Sequence, residues 1–205
     1  MKLKTSKENC KQNTSNINSF ELTNNLIELE ENKNLLSKET LLEFDEIIKD
    51  ITENSNVSAL KDHIQHINSS RYAHCKEVAF YTFLICKKLN LDYISAARGA
   101  MLHDFYFYDW RNKHVEGQKK FHLFRHPRIA LENALDIFKL NDLEKDIIAK
   151  HMWPLTISLP RFAESYIVTF VDKYCATKEF FRFLKNKKNV KLLNSTNIEN
   201  KTNSK

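Results

Sequence analysis

Six side chains able to bind or activate a ligand interrupt text that is otherwise apolar. His74 stands in RYAHCKEVAFYTFLI, with Val78 and Tyr81 following on the same helical face. His103 and Asp104 are adjacent in GAMLHDFYFYDW, His126 precedes Pro127, and His151 closes DLEKDIIAKHMWP. Asp172 lies in SYIVTFVDKYCAT, where a carboxylate loses its hydration unless a partner compensates. One such residue is ordinarily a satisfied core group; six, spread over five helical segments, point to a shared site. Imidazoles and carboxylates converging from several helices are how bundle cores hold metal ions. A mixed His/Asp set suits iron, manganese or zinc rather than the all-oxygen shells of calcium and magnesium.

The elements that must position these residues are helices. Two glycines and three prolines interrupt 205 residues, and no alternating strand pattern persists. Periodicity and capping residues predict helices near 38–53, 57–67, 70–90, 93–104, 127–139, 142–152 and 161–184, with 105–125 an irregular connection. Asp92 is the expected cap of the fourth and Asn141 or Asp142 of the sixth. Pro127 and Pro160 are expected in or before first turns, where proline is tolerated. Ala96, Ala97 and Ala100 allow close helix approach. The chain therefore reads as all-α, one helical-bundle domain over 37–185. Segments 1–36 and 186–205, rich in Asn, Lys, Ser and Thr, are expected to be disordered or only transiently helical.

The net charge of +6 invites a nucleic-acid reading, but its location argues against one. Residues 185–205 carry +5 and residues 1–12 carry +3, which leaves the middle at −2. Basicity belongs to solvated ends. Four cysteines without a CxxC pair fit a reducing compartment. The N-terminus has no apolar leader core, and no run of about 18 apolar residues is present to span a membrane. A cytoplasmic protein with no membrane partner is the expectation.

The order His74 … His103-Asp104 … Asp172 resembles the HD-domain metal-dependent phosphohydrolases, an all-α fold named for its adjacent His-Asp pair. FRHPRIALENA (His126) and DIIAKHMWPLT (His151) resemble the members that hold two metals. The likeness covers roughly residues 60–180 and is greatest to a bacterial branch carrying HD…YDW…HP…NA…HM.PL…DK. It implies a divalent transition metal, two ions, with His74, His103, Asp104 and Asp172 on the first and Asp104 bridging as the catalytic carboxylate. His126 and His151 would serve the second ion. The implied substrate is a nucleotide or another small phosphoester.

Members that cut nucleotides or cyclic dinucleotides often carry a Lys four or five residues after the pair, as in HDIGK, and the cyclic-di-GMP enzymes a GYP motif. This chain has Tyr108 and Asp109 instead and no GYP. Phosphate would then be gripped by another cation: Arg125 and Arg128 flank His126 and Lys173 follows Asp172, with Arg71, Arg98 and Arg161 as further candidates. The missing Lys supports a rival reading, a regulatory domain that binds metal or nucleotide without turnover. A third is dioxygen activation by a di-iron centre. His122 or Asp109 could move a proton, Phe105 to Trp110 could pack the core or wall a pocket, and His63, His66 and His114 read as surface residues.

Overall fold

A computed structural model describes residues 19–31, 37–63, 69–108 and 118–202, with side chains described except at 30, 31, 118–123, 186 and 188–202. The architecture is all-α: α1 (Ser19–Glu31), α2 (Lys38–Ile47), α3 (Lys49–Thr52), α4 (Ser55–Ser58), a 3₁₀ turn (Ala59–Asp62), α5 (Arg71–Lys88), α6 (Tyr93–Leu102), α7 (Gln118–Ile137), α8 (Asp142–Lys150) and α9 (Ala163–Thr202). No β-strand occurs among the described residues.

The helix ends follow local chemistry. Ser70 caps α5 by accepting from Ala73 N–H, and Asp92 caps α6 by accepting from Ser95 N–H. Asn141 and Glu144 form a reciprocal capping box at α8. At the other end of α5, Leu91 N–H reaches Cys86 C=O at 2.9 Å and Asn90 N–H reaches Lys87 C=O at 3.2 Å. Asn90 has φ 56°, so the helix stops in a Schellman arrangement that turns the chain back toward α6.

The core lies where α5, α6, α8 and α9 meet. Ala96, Ala97 and Ala100 are fully buried, and α6 packs closely against α5 as their size permits. Gly99 faces α8, where an added Cβ would lie 3.0 Å from Ile147 Cδ1 and 3.2 Å from the Glu144 Cα. Arg98 spans three elements: its guanidinium donates to Glu144 Oε1 (3.0 Å), to Ile47 C=O (3.1 Å) and to both oxygens of Asp50.

Several sequence expectations are corrected. α1 lies inside the segment 1–36 expected to be disordered, because Leu22 and Leu26 fall on one face and bury in the core. α7 begins at Gln118, within the expected irregular connection, so Pro127 sits inside a helix rather than in its first turn. Lacking an N–H, Pro127 gives up one intrahelical bond while the helix continues through it. The expected helix 38–53 breaks at Ile48, and 57–67 shortens to α4 and the 3₁₀ turn. α9 runs past the expected helix end at 184 to Thr202, and no Gly or Pro follows Pro160 to stop it. Residues 1–18, His66, Asp109, Trp110 and His114, and the side chain of His122, lie outside the described residues.

Candidate metal centre

Each of five helices delivers ligand-type side chains to one buried point. His74 comes from the first turns of α5, His126 from α7 and Asp172 from α9, while His103 and His151 are the C-cap residues of α6 and α8. α6 ends at Leu102 and the chain tightens into a turn over His103 and Asp104, which brings both side chains to the same site. His74 and His103 are fully buried, His151 is 1% exposed, and Asp104 and His126 are 4% exposed.

Two triads result, His74–His103–Asp104 and Asp104–His126–His151, each with ligand atoms within 4.8 Å of one another. Asp104 belongs to both. Its Oδ2 lies 3.6 Å from His103 Nε2, whereas its Oδ1 lies 3.3 Å from His126 Nε2 and 3.5 Å from His151 Nε2. Asp172 Oδ1 completes the first group, 3.1 Å from His74 Nε2 and 3.6 Å from His103 Nε2.

Two of the histidines have their tautomer fixed from behind. His103 Nδ1 lies 2.7 Å from Ala100 C=O and His151 Nδ1 lies 2.9 Å from Ile148 C=O. A carbonyl can only accept, so each Nδ1 carries the proton and each Nε2 offers a lone pair to the cluster in the neutral ring. His103 Nε2 is buried without a hydrogen-bond partner, its two carboxylate neighbours being too far for one. The Nε2 atoms of His126 and His151 approach to 2.9 Å while both face Asp104 Oδ1. Buried lone pairs turned toward carboxylate oxygens suit a cation, and the residues present can hold a metal ion.

The electrostatics agree with a strongly coupled cluster. Burial disfavours the charged form of His74, but the carboxylates of Asp172, hydrogen-bonded to Nε2, and of Glu179, 3.6 Å from Nδ1, outweigh it and raise its pKa to about 10. Burial, reinforced by the charge of His103, pushes His151 down to about 3. Burial also works against the Asp104 carboxylate, yet His103, His126 and His151 hold its pKa well below the usual range.

The candidate cations separate clearly. Lys173 Nζ donates to His151 C=O at 2.9 Å and lies 3.7 Å from Asp172 Oδ2, at the cluster and partly open to solvent. Arg125 is exposed, and Arg128, also exposed, pairs with Glu132 at 3.3 Å. Arg71 is fully buried, stacked 3.6 Å over the Tyr106 ring and donating to Tyr106 C=O, so it fixes the backbone that follows Asp104. Arg98 and Arg161 are committed to Asp50, Glu144 and Asp146.

Of the aromatics, Phe105 and Tyr106 are buried, and the Tyr106 ring stands 5.6 Å from that of His126. Phe107 is 39% exposed. Two residues with a part in shaping the site were not visible in the sequence. Glu179 Oε1 lies 3.6 Å from His74 Nδ1. Asp146, 2% exposed, accepts from Arg161 N–H (2.9 Å), Arg161 Nε (3.0 Å) and Ser165 Oγ (2.9 Å), which ties the segment after His151 to α8 and α9. The only available signal for Glu179 was its seven-residue spacing from Asp172.

The fold and the site define an all-α chain with a buried His/Asp cluster able to hold metal, in which no described helix is long and apolar enough to cross a membrane. No family model matches the chain, and neither a curated protein nor a solved structure matches it.

Proposed function

We propose that the protein is an HD-type metal-dependent phosphohydrolase acting on a nucleotide or another small phosphoester. The observation that carries this reading is the division of Asp104, one oxygen turned to His103 and the other to His126 and His151. That is what a carboxylate shared between two ions requires. His74, His103, Asp104 and Asp172 would hold one ion, and Asp104, His126 and His151 the second.

Divalent iron, manganese or zinc bound there would lower the pKa of a water and offset charge on phosphoryl oxygens. The chain's own residues do the rest. Nδ1–H bonds to Ala100 and Ile148 orient His103 and His151, and the buried Tyr106 ring stands 5.6 Å from that of His126. The Lys173 ammonium, at the cluster and partly open to solvent, is the cation best placed to meet a phosphate, with the exposed Arg125 and Arg128 flanking His126 in sequence. No nucleophilic side chain is needed. Three buried free thiols, Cys75, Cys86 and Cys175, support a reducing, cytoplasmic setting.

The test is release of inorganic phosphate from a panel of nucleotides and small phosphoesters, with added Mn(II) or Fe(II) and with chelator. Metal-dependent release that is lost in Asp104→Ala supports the reading. Metal-loaded protein that releases none from any member favours the regulatory alternative.

A further inference from the structure

We propose that Glu179 is a positioning residue that fixes His74 as a metal ligand; this rests on the metal-centre reading above. His103 and His151 sit at helix ends and orient their rings through backbone carbonyls of their own helices. His74 lies within α5, where Ser70 C=O already accepts from His74 N–H at 3.0 Å, as the helical ladder requires. Its ring must be oriented from another element. α9 does this with two carboxylates seven residues apart, which two helical turns bring to one face. Asp172 Oδ1 faces His74 Nε2 at 3.1 Å, and Glu179 Oε1 faces Nδ1 at 3.6 Å.

The Glu179 side chain is 11% exposed, and that of His74 fully buried. The adjacent cation Lys178 turns elsewhere, donating to Glu77 Oε1 at 2.9 Å and to Tyr81 Oη at 3.1 Å. A carboxylate behind a ligating imidazole holds the proton on Nδ1, aims Nε2 at the ion and raises its basicity. Glu179 is thus the group behind the His74 ring, as the Ala100 and Ile148 carbonyls are behind those of His103 and His151, though at 3.6 Å from Nδ1 rather than 2.7 and 2.9 Å.

The experiment is a Co(II) titration of the full-length metal-free protein, read by visible absorption and by equilibrium binding. Wild type, Glu179→Ala, Glu179→Gln and His74→Ala are compared. Wild type is expected to bind Co(II), with Glu179→Ala weakening one site by about 10- to 100-fold and altering its absorption band, as losses behind a ligand do. The second site should keep its affinity. Glu179→Gln, whose carbonyl can still accept from Nδ1–H, should recover most of the loss. Glu179→Ala binding Co(II) as tightly as wild type overturns the positioning role while leaving the metal reading intact. So does a Glu179→Gln defect equal to that of Ala and matched by an equal drop in the metal-free melt. A wild type that binds no Co(II) removes the metal reading and this inference with it.

Discussion

His103 and His151 hold the same pose at the ends of two different helices. Each is a C-cap residue, each sets Nδ1 against the carbonyl three residues earlier, and each turns Nε2 toward Asp104. The two rings stand 4.9 Å apart and nearly perpendicular. Each belongs to a different triad, so the expected content is about two transition-metal ions per chain, since six ligands exceed what one ion takes alongside water. Elemental analysis of anaerobically prepared protein checks this. His151→Ala should lose one ion and keep the other, whereas a variant that loses both or neither would show that the triads are not separable sites.

Leu26 measures how firmly α1 belongs to the domain. It is fully buried in the common core. Leu26→Ala should therefore cost about 2–5 kcal/mol, the usual range for a buried leucine. Urea unfolding gives the number, and a cost near zero would mean that α1 does not pack in solution.

Gly99 is where α6 and α8 come closest. A methyl group there would press on Ile147 and on the Glu144 backbone, and only the Ile147 side chain can yield. Gly99→Ala should destabilise by about 1–3 kcal/mol through overpacking. A stabilised Gly99→Ala, the outcome expected from helix propensity alone, would show that the two helices can separate freely.

Asp146 should give stability a specific pH dependence. Burial acts to raise its pKa, but Lys150, the Arg161 N–H, Ser165 and the Arg161 side chain together lower it below the ordinary 3.8. A carboxylate depressed in the folded state stabilises fully above its unfolded pKa and loses that contribution as pH falls through the folded value. Asp146→Asn should cost about 1–3 kcal/mol at pH 7. Melts of both proteins should converge as pH drops below about 4; a gap that stays constant across that range would show that charge is not the source.

The fold was legible where signals are local. Asp92 could be read as a cap, and Asn141 or Asp142 as another, because capping depends on a residue and the few that follow it, and small residues in ISAARGAML announced a close helix contact. α1 was not legible, because Leu22 and Leu26 are embedded in Asn- and Glu-rich text whose average polarity outweighed their spacing. Pro127 misled for the opposite reason: a strong local rule gave way to a helix held by neighbours, with Ala130 and Ala134 buried beyond it. At the site, residue types and apolar surroundings pointed to six side chains, and the structure gathers them. What supports them was hidden, since hydrogen bonds to backbone carbonyls leave no trace in side-chain identity. The cations could not be sorted either: Arg71, Arg98 and Lys173 look alike in sequence and differ only in what the fold sets opposite them.

The most direct test is whether the Asp104 cluster binds metal in the folded protein. Thermal melts of wild type and Asp104→Asn, each with excess Mn(II) and with chelator, provide it. An ion held at 100 times its dissociation constant stabilises by about 2.7 kcal/mol, or roughly 5–10 °C for a domain of this size. Wild type should melt higher by about that margin with Mn(II) than with chelator, and Asp104→Asn should lose the difference. A wild-type melt that chelator and metal leave unchanged, with Asp104→Asn melting far lower in both, would mean that Asp104 is only a buried hydrogen-bonding group and that the cluster holds no metal.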